Sequence, residues 1–416
     1  MPLYRLSPYI YFFCWIALAF LPYVFFAKII YISLLFYFAC VGLYYSLTSL
    51  VNYKLPLYFK GLFVFVFVLV LYGMYLIFLD DDVYWQASSM YIEKHHYLLW
   101  LMSSLLSSVP VYVFTCRGWI QEKDMKILFG IFLFSCIYAY YGSLKFQMLQ
   151  AQLLNSTQEE FTITCVYSFL GLIPLVLLFR KRQVLQFALL CVMFVYCVLG
   201  AKRGPVILGG VSSVLLILSM FSQGPLKKKL YIVLISVLAF VGLYLFINHQ
   251  IESSSYFSMR VEQTIEGNTS RREEHSQRVL EYISSSTNLR QFAFGIGAQG
   301  SLAVNETFVH NDWIAVLLEQ GVFGLFLYIF YWISFIYTWL KSKCEKESFV
   351  ALGLLVFIGL GKTLFSMYYL PVTAEMITSS GIFSITLGYF LAKAYPQKEF
   401  VLIQAYLDRN ESLYES

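Results

Sequence analysis

The chain alternates long apolar runs with short polar gaps, and the runs are too long for the core of a soluble domain. Crossing about 30 Å of hydrocarbon takes roughly 20 apolar residues in a helix. Twelve stretches meet or approach that length: 9–26, 29–49, 61–79, 97–115, 127–144, 162–179, 183–200, 205–222, 230–248, 322–340, 349–369 and 378–394. Each predicts a membrane helix, because lipid offers backbone N–H and C=O groups no partner outside the segment. Only Ala27-Lys28 separates the first two, which predicts a tight hairpin. The first run follows Arg5 without a small-residue cleavage site and reads as a retained helix.

The expectation is an all-α polytopic membrane protein of about twelve transmembrane helices. Nine fall within 1–248, a large extracytoplasmic loop covers 249–311, three more helices lie within 312–394, and 395–416 is a cytoplasmic tail. Composition agrees: 59% of residues are hydrophobic and 13% charged, too little charge to keep a soluble domain dissolved. The net charge of +5 needs no nucleic-acid partner, since membrane proteins concentrate Lys and Arg in cytoplasmic loops. With the N-terminus inside, the inner segments hold 18 of the 29 cations, and the short outer loops hold Lys28, Lys94, Lys145, Lys202 and Arg203. That asymmetry predicts both termini in the cytoplasm. All five histidines then lie outside or at the outer edge, and none of the eight cysteines does, which leaves no external disulfide to form.

The loop at 249–311 carries five arginines and no lysine. Arginine suits a planar, two-point grip on phosphate or carboxylate, although pairing with the loop's seven glutamates is the plainer alternative. Ser270-Arg-Arg-Glu273 has the form of a capping box and predicts a helix over 271–284. Helical spacing puts Arg272, Ser276, Val279, Leu280 and Ile283 on one face, expected to pack inward, and Arg271, His275, Arg278 and Tyr282 on another. Gly295-Ile-Gly297-Ala-Gln-Gly300 matches the dinucleotide fingerprint in letters alone; lacking a βαβ setting, it reads as a turn back toward the membrane. Asn311 is a candidate cap for a helix of about 43 Å from 312 to 340, so either its first turns stand above the lipid or it breaks near Gly321.

Three more polar points stand in apolar surroundings. Lys202-Arg203-Gly204-Pro205 places Arg203 beside a helix N-terminus, where backbone N–H groups and a guanidinium make an anion site; a snorkelling interfacial arginine is the alternative. Lys362 lies inside a span, a costly position and a functional candidate, unless it reaches Glu375 or a carbonyl. Asp80-Asp81-Asp82 resembles a metal patch but reads better as a solvated helix end, with no partnering His/Asp spacing. There is no zinc spacing, Walker loop, nucleophile elbow or internal repeat.

Taken in order, Gly200-Ala-Lys-Arg203-Gly-Pro, Arg272 with its amphipathic helix, Phe294-Gly-Ile-Gly297, and His310-Asn311-Asp312 followed by Glu319-Gln-Gly321-Val-Phe-Gly324 resemble the O-antigen polymerase and O-antigen ligase family of bacterial membrane glycosyltransferases. The resemblance covers roughly 200–325. It departs from the family pattern at Lys202, where Ser or Thr is common, and at Ser276, where Trp often follows the loop arginine. It implies a GT-C-like enzyme that takes a polyprenyl-diphosphate-linked saccharide on the outer face of the inner membrane, with neither nucleotide sugar nor metal and no other cofactor. By position, Arg203 and Arg272 would hold the diphosphate and His310 would deprotonate the acceptor hydroxyl. Arg271, Asn311, Asp312, Gly295, Gly297 and Lys362 would be the substrate-binding positions around them. The expected partners are the lipid-linked donor and acceptor, membrane lipid, a chain-length regulator and a flippase. Polymerase is preferred to ligase on the compact 272–310 stretch, the His-Asn-Asp form and the segment following Lys362. A lipid-linked glycan transporter is the rival from another class; it would place charges along several spans.

Overall fold

The computed structural model describes residues 7–20, 28–79, 94–153, 163–221, 226–253, 258, 262, 272–286, 288–297, 300–305, 309–366, 368 and 374–396. Among them there is helix and no strand. The helices are α1 (Ser7–Phe20), α2 (Lys28–Asn52), α3 (Leu57–Leu79), α4 (Lys94–Leu105), α5 (Ser108–Cys116), α6 (Glu122–Leu153), α7 (Tyr167–Leu172), α8 (Gln183–Leu199), α9 (Arg203–Phe221), α10 (Leu226–Ser253), α11 (Arg272–Ser285), α12 (Leu289–Phe294), α13 (Gly300–Asn305), α14 (Asp312–Lys341), α15 (Lys346–Phe365) and α16 (Ala374–Ala394).

Helix lies in the described part of each of the twelve apolar windows. Among the described residues, seven helices are long and apolar enough to cross a membrane, one of them Leu98–Cys116, which α4 and α5 make together. Shorter apolar helices cover Ser7–Phe20, Leu57–Tyr72, Thr164–Phe179 and Gln183–Leu199. α10 continues to Ser253, five residues past the expected end of its span at 248. Asp80 to Asp82, Arg271 and the capping-box serine lie outside the described residues, as does the tail from 397.

α16 is the hub. It packs on α1, α4, α5, α7 and α15 and is buried along nearly its whole length. Close approach comes from glycine: a Cβ at Gly381 would overlap the Trp15 ring, and one at Gly388 the Ser108 carbonyl. Two polar groups on this helix, those of Ser384 and Thr386, are satisfied by irregular backbone in its neighbours. Pro174 has no N–H to give Gly171 O in the 3₁₀ stretch Ile173–Phe179, and that carbonyl accepts from Thr386 Oγ1 at 3.0 Å. Ser384 Oγ donates to Ser104 O at 2.8 Å, just before the break between α4 and α5. These bonds explain how a serine- and threonine-bearing helix lies at the centre of an apolar bundle.

The expected inner loops gather at one end. Arg117 Nε donates to Tyr53 OH at 2.9 Å, Arg180 pairs with Glu347 at 3.0 Å, and Tyr395 joins Tyr112 to Thr338. Among the described residues on the expected outer side, Lys202 Nζ donates to Thr164 Oγ1 at 2.7 Å, and Tyr167 OH to Phe365 O at 2.9 Å.

Candidate active site at one end of the bundle

The site is assembled around the C-terminal end of α15. Two helix starts meet it there. The first is α9, which begins at Arg203 and packs so tightly that a Cβ at Gly204 would overlap the Tyr167 hydroxyl and crowd Phe365. The second is α14. Its cap is Asn311, as expected, with the side-chain oxygen accepting from the N–H groups of Trp313 at 3.0 Å and Ile314 at 3.4 Å. Trp313 Nε1 donates to Thr363 Oγ1 at 2.9 Å, and Asp312 Oδ2 accepts from the Tyr368 N–H at 2.9 Å. Arg203 and His310 therefore stand at the mouths of two helices fixed to one element, and both side chains are half-buried.

Asp312 is fully buried, and the same Oδ2 also accepts from Tyr328 OH at 2.9 Å. That bond spans the break in α14, tying its first turn to the part beyond Gly321. Lys362, 2% exposed, donates to Ser379 Oγ at 3.2 Å and lies 5.9 Å from the centre of the Tyr368 ring. The Asp312 carboxylate acts on it electrostatically. Tyr368 OH in turn shares a hydrogen bond of 2.8 Å with Tyr331 OH, so Asp312, Lys362 and the tyrosines form one buried polar group. Burying a charge this deeply is costly, and here Asp312 Oδ2 and Lys362 Nζ both take hydrogen bonds.

The glycine motifs are two halves of one joint. α14 breaks at Gly321, where φ is 67° and ψ is −167°, a conformation open to glycine alone. The break frees carbonyls that the preceding loop uses: Ile296 N–H donates to Leu318 O at 3.0 Å and Gly297 N–H to Glu319 O at 3.1 Å. Gly295, with φ of 78°, approaches so closely that a Cβ would overlap the Glu319–Gln320 backbone, and a Cβ at Gly321 would overlap Ala293. Tyr72 OH, from α3, donates to Glu319 O at 2.9 Å and completes the joint. Gly295 and Gly297 thus make backbone contact with α14, as a turn returning to the bundle should.

α11 docks on this joint. Val279 is fully buried against Val309 and Leu318, with Tyr282, Ile283 and Ile296 packed around them, so the helix lies directly beside the residue preceding His310. The predicted inward face needs correction: Leu280 is 48% exposed, while Tyr282, expected on the other face, joins the contact. The cause is the position of α14, which meets the stripe through 279, 282 and 283 rather than the one through 280. Arg272 begins α11, and its side chain lies outside the described part of the structure. Asn305 Nδ2 donates to His275 O at 3.0 Å and ties α13 to α11.

Sequence reasoning missed Tyr328, Tyr368, Thr363, Trp313 and Tyr72. The signal for Tyr328 and Tyr368 was a polar hydroxyl within or beside an apolar run, but most of the chain's 34 tyrosines share it. No family model matches this chain, and no curated protein matches it. The fold and site together define an all-helical membrane protein with a buried, glycine-jointed polar site at one end.

Proposed function

We propose that the protein is an inverting, metal-independent glycosyltransferase of the bacterial inner membrane. It polymerises polyprenyl-diphosphate-linked oligosaccharide repeat units into surface polysaccharide, as the resemblance to the O-antigen polymerase and ligase family implies. The reading carries with it twelve spans in a GT-C-like arrangement, both termini in the cytoplasm, and the end bearing His310 facing outward. One observation supports it most: the starts of α9 and α14, with Arg203 and His310, both pack on Thr363–Tyr368, although about a hundred residues separate them in the chain.

In the proposed reaction the acceptor hydroxyl oxygen attacks the anomeric carbon from the face opposite the diphosphate. The bond from that carbon to the diphosphate oxygen breaks, and His310 takes the acceptor proton. Diphosphate departure develops negative charge, which Arg203, Arg272 and the N–H groups at the start of α9 would stabilise. Imidazole is a competent base near neutral pH. The glycine joint and the buried Asp312 serve to hold His310 in place, since small displacements of a catalytic group cost rate steeply.

The transporter reading is less well supported. The fully buried charged side chains among the described residues are Asp312, Glu319 and Lys362, grouped on the first part of α14 and the end of α15 rather than strung across the bundle. His310→Ala and Arg203→Ala should each abolish chain extension in cells while the protein accumulates at normal levels. Normal chain lengths in either variant refute the assigned roles. Gene deletion followed by gel display of surface glycan separates polymerase, which leaves single repeats, from ligase, which leaves full chains on the lipid carrier.

A further inference from the structure

Beyond Gly321, α14 carries one unbroken apolar stripe. Val322, Phe323, Phe326, Ile329, Ile333 and Leu340 are exposed at helical spacing, and no charged residue interrupts the helix before Lys341. From Val322 to Leu340 the helix rises about 27 Å, close to the roughly 30 Å of a bilayer's hydrocarbon core. Lys341, Lys343, Glu345 and Lys346 mark one edge of that core. A crossing by α14 takes the whole of the stripe, which puts Gly321 at the other edge.

The residues before Gly321 do not continue out of the membrane. In a straight helix Asp312 and Tyr328 would be about 24 Å apart, more than their side chains can bridge. They share a hydrogen bond of 2.9 Å, and the ring centres of Trp313 and Tyr328 are 5.0 Å apart. The first part of α14 therefore folds back beside the second, toward the bilayer interior. Ala315, Val316, Leu318 and Glu319 are buried in protein there, the setting in which a re-entrant segment is tolerated at membrane depth.

α12 meets α14 at the edge that Gly321 marks. The bonds from Ile296 and Gly297 to Leu318 and Glu319 hold it there, and the Phe294 ring lies 6.1 Å from that of Phe323, near the head of the stripe. Leu289, 82% exposed, and the exposed Phe292 and Phe294 carry the apolar surface of α14 onto α12. Arg290 is the one charged residue of α12, and its long side chain suits reaching phosphate headgroups from an apolar position. The neighbouring α11 differs. Apart from Leu280 its exposed side chains are polar, with Glu273, Glu274, Gln277, Arg278 and Glu281 among them, a surface for water.

We propose that α12 is an interfacial anchor: it lies in the boundary between phospholipid headgroups and acyl chains, with Leu289, Phe292 and Phe294 set into the lipid. The proposal needs only that α14 crosses a membrane, and it stands or falls apart from the glycosyltransferase reading. Its consequence is positional. The glycine joint is held at a fixed depth in the bilayer, and the re-entrant start of α14 hangs from it.

The test uses the full-length protein in vesicles of phosphatidylethanolamine and phosphatidylglycerol, with photoreactive p-benzoylphenylalanine placed in turn at Phe292, Phe326 and Gln277. The probe keeps a phenyl ring at the two phenylalanine positions, and all three side chains are exposed, so the fold is left intact. After illumination, mass spectrometry should find the probes at Phe292 and Phe326 shifted by the mass of one phospholipid, and the probe at Gln277 unshifted. Lipid on Phe326 but none on Phe292 overturns the proposal. So does a covalent dimer formed through Phe292, which would make this face a contact between two copies of the chain. Lipid on Gln277 in the same yield as on Phe292 removes the division between α11 and α12, and absence of lipid on Phe326 removes the stripe from which the depth is taken; either result sinks it too.

Discussion

Replacing Gly321 with alanine tests whether the break in α14 is the joint on which the site is built. At φ 67° and ψ −167° a side chain is strained by about 1–3 kcal/mol, and the new Cβ would overlap the backbone of Ala293 and Phe294. Relief requires the loop to move off α14, which gives up the bonds from Ile296 N–H and Gly297 N–H, each worth about 0.5–1.5 kcal/mol. The combined loss is roughly 2–6 kcal/mol, confined to the contact between 293–297 and 318–321. Hydrogen exchange by mass spectrometry on the detergent-solubilised protein reads it directly: amides of Ile296 and Gly297 should exchange about 30-fold faster or more, while those in α16 hold their protection. Gly130→Ala is the control, because a Cβ at Gly130 meets nothing within 4 Å, and it should be neutral or slightly stabilising. Unchanged exchange at 296 and 297 in Gly321→Ala would sink the joint.

The buried charges permit a double-mutant cycle. Asp312→Asn should cost about 3–5 kcal/mol by leaving Lys362 without its counter-charge, Lys362→Met a similar amount, and the double variant less than the sum of the two, measured by thermal unfolding in detergent. Strict additivity would show that the two residues do not sense one another. Arg180→Ala, by contrast, removes an ion pair in which the arginine side chain is 48% exposed, and should shift stability by less than about 1 kcal/mol. A larger loss would mean that the two loops it joins depend on that contact.

Several features of the site were legible before any coordinates. Asn311 followed by Asp312 and Trp313 announced a capped helix start, because a side-chain acceptor at that position satisfies N–H groups the helix itself leaves free. A helix from 312 longer than the bilayer left two readings, first turns above the lipid or a break near Gly321, and the structure has the break; the glycines at 295 and 297 pointed to a turn. That these are one object was not legible. The bonds joining Ile296 to Leu318 depend on two segments meeting, and neither segment carries a sign of the other. The inward face of α11 was misjudged at Leu280 for the same reason: helical period gives the stripe, and the partner's position decides which edge of it is covered.

By itself, the order of apolar and polar residues determined that the chain is helical and apolar enough for lipid, and roughly where its helices fall. These follow from local chemistry: backbone groups in hydrocarbon must bond within their own segment. Only the tertiary structure decided that α16 is the hub, that Asp312 faces Tyr328 and Tyr368, and that the starts of α9 and α14 converge on Thr363–Tyr368. Those arrangements turn on side-chain packing between helices that are equally apolar to the surrounding lipid. Hydropathy cannot rank one neighbour over another there; glycine notches and single hydrogen bonds do.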